Sequence, residues 1–505
     1  MLGAKPTRFK GWASPRPYAE GMTPFAEEVL RARAAQVAWS RLPVRERLRP
    51  VREFRHLLVE QADALTDAIR ADIGRLPDDV IATDFLPTAA TCKFLLAEAR
   101  ATLKPRRVGG RPLWLLGCRD IIYRVPHGVV GVIGTWNYPL YMNAVPILHA
   151  VTAGNAVLWK PSELIPRTAE VLHDFLLKAG YPPDLVIRLP ATREGGPQLA
   201  EADIDFIHFT GSDAIGRKLG ARLGERLIPS VLELSGCDAL IVCADADVRL
   251  AARSAWYGTM LNAGQTCMAT RRVFVDERVM PTFLEVLQPL IEATDSVQLA
   301  TTAQAVQAGR LVGEAVTAGC HSIRGREPDG VNGVPAVALI CPAEEAANLS
   351  ICREASFAPL AAVIPFTNID GLIEQHNACP FGLATAVFAG DTRKATELAA
   401  FLKAGAVVVN DVIVPTAHPG TPFGGRGASG WGVTQGREGL LQMTVPQVVT
   451  VRKGSFRPHV DALLNHDPAA GDVARGLLRF GHGRTLGERW RGLKQLVRGM
   501  WRTKR

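Results

Sequence analysis

The segment from Val125 to Trp159 constrains the fold more than any other, because it runs for 35 residues without one Asp, Glu, Lys or Arg. That length can span a bilayer. Pro139, Pro146 and several glycines interrupt it, however, and Asn137 and Asn143 lie in its interior. It reads instead as a buried strand, a loop and a helix packed on a sheet. Short β-rich runs, IIYRV, GVVGVIG, AVLWK, LVIRL and DFIHF, alternate with helical stretches, and a second series follows as ALIVC, RRVFV, AAVIPF, TAVFAG and AVVVN. This alternation predicts an α/β fold of parallel sheets flanked by helices, in two domains with a seam near residues 234–236 and a return near 410. A chain of 505 residues has room for two or three cores. Residues 23–75 are predicted to be helical, with Phe54, Leu57 and Leu58 recurring at helix spacing among arginines.

With 47% hydrophobic and 21% charged residues, disorder as the dominant state is excluded. The net charge of +9 is local: residues 473–505 hold ten Lys and Arg against Glu488 alone, and the preceding 472 residues sum to zero. Attraction to anions therefore belongs to the tail and not to the body. The nine cysteines (Cys92, Cys118, Cys237, Cys243, Cys267, Cys320, Cys341, Cys352, Cys379) include no C-x-x-C pair and have no closing histidines. That excludes a disulfide framework and a zinc site, so no metal is expected, and free thiols point to a reducing, cytoplasmic setting. Residues 1–22, with Lys5, Arg8, Lys10 and Arg16 and no acid before Glu20, read as a flexible arm without a secretory core.

Cys267 stands apart from the other eight cysteines. It lies in LNAGQTCMAT, a polar, small-residue segment ahead of RRVFV, where a thiol can be both accessible and activated. Glu233, in SVLELSG, is flanked by groups that cannot hydrate its carboxylate. Partial burial would raise its pKa toward that of a general base, although a salt bridge explains an isolated glutamate as well. Asn137, in GTWNYP, can donate to a developing oxyanion or simply satisfy a turn. Lys160 and Glu163 lie in WKPSE at the exit of the run AVLW. In FTGSDAIG, Gly211, Ser212 and Gly216 mark a strand end, a turn and a helix start, where free backbone N–H groups can meet a phosphate.

Taken in order, TWNYP, AGNAVLWKPSE, FTGSDAIG, LELSG, NAGQTC, SFAPL, GLATAVF and PFGGRGASGWG, with 34 residues from Glu233 to Cys267, resemble the NAD(P)-dependent aldehyde dehydrogenase superfamily over about residues 30–452. The resemblance implies a Rossmann-like NAD-binding domain (23–234, with a bridging hairpin at about 106–127), an α/β catalytic domain (235–410) and a return and oligomerisation segment (411–452). Residues 453–505 remain as a basic C-terminal extension. The same resemblance implies that Cys267 attacks the aldehyde, that Asn137 and the Cys267 backbone N–H hold the oxyanion, and that Glu233 activates the water that hydrolyses the thioester. On the coenzyme side it places Lys160 and Glu163 at the adenosine ribose, and Trp136, Gly211, Ser212, Gly216 and Leu234 along the coenzyme path. Glu354 and Phe357 fall in the nicotinamide-ribose motif. Because a carboxylate on the ribose repels a 2′-phosphate, Glu163 favours NAD, with NADP the alternative coenzyme. A homodimer or larger assembly is implied, and Tyr138, Tyr141 and Met142 beside Asn137 predict an apolar or aromatic entrance for the aldehyde.

The chain departs from the family pattern in three places. E-x-F-G-P appears as EASFAP, with Ala355 two residues before Phe357 and Glu354 displaced by one. Either Glu354 reaches the ribose through a bulge or that anchor is missing. Ser235 and Cys237 stand where E-L-G-G-K has a glycine and the lysine. No residue is carried over from the poorly matched stretch 290–340. In the tail, Leu486, Trp490, Leu493, Val497, Met500 and Trp501 share one helical face, and Arg489, Arg491, Lys494, Arg498 and Arg502 occupy most of the rest. Such a helix suits an anionic membrane surface, or it packs on the body or on a neighbouring subunit; the apolar stripe argues against nucleic acid. A coenzyme A-acylating dehydrogenase, against which Glu233 weighs, and a membrane-docked pseudoenzyme scaffold are the rival functions.

Overall fold

The computed structural model describes residues 23–112, 115, 117–328, 330–453, 460, 464 and 468–502. The arm expected at 1–22 lies outside the described residues. The charge-free segment forms a buried strand, Val129–Ile133, a loop, a buried helix, Tyr141–Ala153, and a second buried strand, Ala156–Lys160. Five parallel strands make the body of the first sheet, in the spatial order Ser230–Leu234, Phe206–Gly211, Val129–Ile133, Ala156–Lys160, Val186–Arg188. Gly430–Trp431 adds an antiparallel edge beside Ser230–Leu234. The chain winds outward from Val129–Ile133 in one direction, then restarts on its other side with Phe206–Gly211. The crevice at that switch point, beyond the carboxyl ends of the strands, is where open α/β sheets bind ligands.

Three residues separate the last parallel strand of this sheet from Asp238–Val242, a central strand of a seven-stranded sheet. Its order is His321–Arg324, Val337–Ile340, Leu360–Phe366, Thr270–Asp276, Asp238–Val242, Ala384–Phe388, Ala406–Val409, parallel except for the first. Both sheets are apolar on their two faces and covered by helices, as parallel sheets require.

The chain divides into a large unit, ending at Leu103 and resuming from Val125 to Val445, and a small one of Lys104–Arg124 and Pro446–Arg505. Within the large unit, the helical run Pro77–Thr102 is long and apolar enough to cross a membrane. It is a core helix, because Val80, Phe85, Cys92, Leu95 and Ala99 are buried in the first hydrophobic core. Pro87 has no N–H for the preceding turn, and the helix widens there into a π turn, Ile81–Phe85, that points Asp84 inward.

The small unit holds a three-stranded sheet, Arg106–Arg107, Cys118–Pro126 and Thr444–Arg452, and two helices, Pro468–His482 and Leu486–Arg502. The second helix carries the predicted stripe. The first was not expected, since Gly471, Gly476 and Gly481 weaken its local helical signal. The second starts with a reciprocal cap: Glu488 N donates to Thr485 Oγ1, while Arg484 N and Thr485 N donate to the Glu488 carboxylate.

Candidate active site

Cys267 sits in the turn between a short helical turn, Leu261–Gly264, and the strand Thr270–Asp276. Asn262, Ala263 and Gly264 all take positive φ (53°, 56° and 71°), a run of left-handed backbone that L-residues adopt only when surroundings enforce it. Gly264 is required twice over, since a Cβ there would lie 2.3 Å from the Ala358 carbonyl group. The loop is held by Arg271, a fully buried guanidinium that donates to the carbonyls of Gly264 (3.3 Å), Thr266 (3.0 Å) and Gly236 (3.4 Å) and to Ser356 Oγ (2.9 Å). A single side chain thus ties the Cys267 turn to the crossing between the sheets and to the segment before Phe357.

Glu233 lies on the strand Ser230–Leu234, three residues before Gly236, whose N–H donates to the Cys267 carbonyl at 3.0 Å. Its carboxyl is 3% exposed, and neither oxygen has a hydrogen-bond partner. Burial pushes its pKa up to about 8. A buried carboxyl left without partners is costly and calls for a functional explanation. Cys267 as a residue is partly exposed, but burial of its thiol, with the charges of Glu233 and Asp238, holds that thiol well above the usual thiol range. Both shifts favour the protonated forms, a thiol and a carboxylic acid, in the resting protein.

Asn137 is buried, with Nδ2 donating to the Gln265 carbonyl (3.0 Å) and Oδ1 accepting from Thr135 Oγ1 (3.1 Å). It is therefore anchored two residues from Cys267. Its carbonyl accepts from Asn262 Nδ2 (3.0 Å) and from Arg75 (3.2 Å). Arg75 also pairs with the fully buried Asp84, whose other oxygen takes the N–H groups of Leu140 and Tyr141. This clamp on the Asn137 loop was not anticipated from sequence, although a lone acid in the apolar run IATDFLPTAA was its signal.

Tyr138 and Tyr141 do not line an open entrance as expected. Both are buried, their hydroxyls bonded to Thr266 Oγ1 (2.6 Å) and the Thr416 carbonyl (2.8 Å). Beside them only Met142 is partly exposed.

The coenzyme candidates gather mostly at the carboxyl edge of the first sheet. Lys160 ends its strand with its side chain buried and Nζ 3.7 Å from Glu163. Burial lowers its pKa. Glu163 stays below the usual carboxylate range: burial pushes upward, but its backbone N–H, Lys160 and Arg193 outweigh that. Arg193 donates to Glu163 at 3.0 Å and was missed by motif reading. Ser212 caps the 13-residue helix Asp213–Glu225 by accepting from Ile215 N, and Gly211 closes the preceding strand. Gly216 and Leu234 meet: a Cβ on Gly216 would lie 2.4 Å from the Leu234 side chain. Leu234 is thus buried packing beneath that helix, with its N–H taken by Ser429. A parallel-sheet crevice, a capped helix start, a buried lysine and a carboxylate paired with Lys160 and Arg193 together fit a dinucleotide.

Phe357 (φ 44°) and Trp136 come together, ring centroids 6.4 Å apart, and Gln304 Nε2 donates to the Phe357 carbonyl at 3.4 Å. The stretch 290–340 thus supports the site through Gln304 and through the Ala300 N–H, which donates to Gln265 Oε1 at 2.9 Å. Glu354 is not brought to this cluster. Its carboxylate pairs with Arg310 and accepts from Gln307 on the helix Thr302–Thr317. Ser235 and Cys237 are both buried, the Ser235 carbonyl accepting from Ser429 and the Cys237 carbonyl from Arg272.

Residues 21–449 match the model of the aldehyde dehydrogenase family. The 4,4'-diapolycopene aldehyde oxidase of Methylomonas sp is 31% identical over 428 residues, covering 83% of this chain and 80% of its own length. A relative in Mycobacterium ulcerans, provisionally named a succinate-semialdehyde dehydrogenase [NADP(+)], is 30% identical over 85% of this chain and 84% of its own. Among solved structures, a Mycobacterium tuberculosis aldehyde dehydrogenase complexed with NAD+ superposes with a TM-score of 0.79 at 26% identity, over 85% of this chain and 90% of that one. The chain belongs to the aldehyde dehydrogenase family and is an NAD(P)-dependent oxidoreductase that oxidises aldehydes.

Proposed function

We propose that this protein oxidises an apolar aldehyde to the carboxylic acid by covalent catalysis at Cys267, with hydrolysis assisted by Glu233. The observation that carries the proposal is the Glu233 carboxyl, buried without a partner and acting electrostatically on the Cys267 thiol. The Cys267 thiol gives up its proton to solvent, the thiolate adds to the carbonyl carbon, and the oxyanion forms near Asn137 Nδ2 and the Cys267 N–H. NAD(P), when bound, supplies the hydride acceptor. Loss of hydride leaves a thioester on Cys267; Glu233 takes a proton from water, the hydroxide adds to the acyl carbon, and the thiolate departs as the acid forms. Lys160, Glu163, Gly211, Ser212, Gly216, Trp136 and Phe357 would frame the coenzyme, with Leu234 supporting the helix from below. Glu354 acts on the Arg310 helix instead.

An apolar substrate is supported by the partly exposed Met142 and by similarity to a protein named 4,4'-diapolycopene aldehyde oxidase. The two sheets support a division into coenzyme (23–234), catalytic (235–410) and return (411–452) segments, the return adding Gly430–Trp431 to the first sheet, and nine free thiols suit a reducing cytoplasm. The exposed Val445, Val448, Val449 and Val451 on the edge strand Thr444–Arg452 support a homo-oligomer. The test is NADH formation across short, aromatic and long-chain aldehydes. Long-chain or aromatic aldehydes should give the highest kcat/KM, and Cys267→Ala should abolish turnover of all of them. Retained turnover in that variant would refute the mechanism.

Arg193 makes coenzyme choice testable. It lies against the ribose-type carboxylate, where a guanidinium can turn toward a 2′-phosphate. Arg193→Ala should raise KM for NADP by about tenfold, the worth of one charge-assisted hydrogen bond, and leave KM for NAD within about twofold.

A further inference from the structure

In the C-terminal pair of helices, Pro468–His482 and Leu486–Arg502, glycines lie where the two backbones meet. A Cβ on Gly492 would lie 2.4 Å from Phe480 N, one on Gly476 2.5 Å from Leu496 N, and one on Gly499 2.7 Å from the Val473 side chain. The second helix thus packs through the face that bears Gly492, Leu496 and Gly499. With 3.6 residues per turn, Leu486, Trp490, Leu493, Val497 and Trp501 fall on the other side. Leu493 is half-buried and the others stay uncovered: Leu486 is 84% exposed, Trp501 72% and Trp490 58%. Leu478 on the first helix is exposed as well. Isolated exposed leucines are ordinary, but an aligned stripe with two tryptophans marks an interaction surface.

The charge beside the stripe has one sign. Arg491, Lys494, Arg498 and Arg502 project along its edge, and Lys494 Nζ lies 5.6 Å from the centroid of the Trp490 ring. The hairpin's two acids are turned to internal work: Asp472 accepts from Gln495 and faces Arg475 and Arg502, while Glu488 caps the helix. Among the described residues, Arg491, Lys494 and Arg498 form no ion pair with an acid.

We propose that this helical hairpin is a membrane-docking module that lies on an anionic lipid surface, Trp490, Val497 and Trp501 entering the interface and Arg491, Lys494 and Arg498 meeting the headgroups. Two copies placed stripe to stripe would set these cationic edges against each other, which disfavours self-association. A lipid surface satisfies the apolar stripe and the charge together. The glycine seam lets both helices lie flat as one thin body. Docking of this kind would hold the enzyme at a surface in which apolar aldehydes dissolve; the docking rests on the hairpin's surface and not on the substrate reading.

The test uses the full chain in co-sedimentation with vesicles of phosphatidylcholine alone and of phosphatidylcholine with phosphatidylglycerol. The expected result is at least about tenfold stronger partition onto the anionic vesicles, weakened by salt. Lys494→Glu with Arg498→Glu should lower that partition by more than about tenfold, and so should Trp490→Ser with Trp501→Ser. Oxidation of a short soluble aldehyde should be unchanged in both variants, which shows that the body is folded, and circular dichroism should show the helices intact. The proposal is overturned by equal binding to both vesicle types, by no binding, by variants that bind as the native chain does, or by variants that dissociate an oligomer without changing vesicle binding. Because vesicle binding is read without aldehyde, failure here leaves the catalytic reading standing, and failure of the catalytic test leaves docking standing.

Discussion

Glu233→Gln is expected to allow one round of NADH formation per active site and then stop, with steady-state kcat down by about a thousandfold, within the range of a lost general base. In the proposed mechanism acylation needs Cys267, Asn137 and the coenzyme, none of which the substitution removes. Hydrolysis needs a proton acceptor, and an amide cannot act as one. The pH dependence follows from the same carboxyl. In the resting protein it is protonated below about 8, so hydrolysis should rise through a midpoint near that value where this step limits the rate. The ionised carboxylate also raises the pKa of the Cys267 thiol. Gln removes that charge, so the alkaline rise in the burst rate should shift to lower pH. A burst profile identical in both proteins would mean that the two groups do not interact.

The same residue predicts a stability effect of defined sign. Its folded pKa of about 8 lies above the ordinary 4.5, so the folded chain holds the proton more tightly than the unfolded one. Native stability should therefore fall as pH rises from about 4.5 to about 8, by an amount on the order of a few kcal/mol, and Glu233→Gln should flatten that slope. Thermal unfolding of the two proteins across this range measures the difference directly. Equal slopes would mean that Glu233 is not buried as the geometry indicates.

The architecture was legible because parallel strands buried on both faces leave long uncharged runs, and Val125 to Trp159 is such a run. Cys267, Glu233 and Asn137 were singled out by the ordered motifs that resemble the family, because local composition alone left each of them open to a merely structural reading. What could not be read depends on partners distant in sequence. Glu354 stands one residue from the expected ribose anchor, but Arg310, 44 residues earlier, engages it. Arg271 looks like an ordinary charge at the start of RRVFV, and only the fold shows it buried against three carbonyls. The tail's second helix was visible as an apolar stripe. Its first was hidden by the glycines that make the close contact.

Arg75→Met is expected to be the most damaging single change outside the reacting groups. Asp84 has no exposed surface, and burial raises its pKa against the opposing pull of Arg75 and the N–H groups of Tyr141 and Leu140. Removing the guanidinium leaves a buried carboxylate without its counter-charge, a loss of about 3–5 kcal/mol at neutral pH. The deficit should shrink as pH falls, because protonation removes the orphaned charge. Arg75→Met with Asp84→Leu removes both charges and should recover most of the stability, since a buried ion pair replaced by apolar side chains is often near neutral. Activity should not return with it. The Asn137 carbonyl loses one of its two side-chain donors, and the N–H groups of Leu140 and Tyr141 lose their acceptor, so the loop that aims the Asn137 amide is no longer fixed. The double variant is therefore expected to match the native Tm within a few degrees while kcat stays at least about tenfold lower with KM for NAD unchanged. Recovery of kcat along with Tm would show that the pair serves stability alone and that Asn137 is positioned by Asn262 and Gln265.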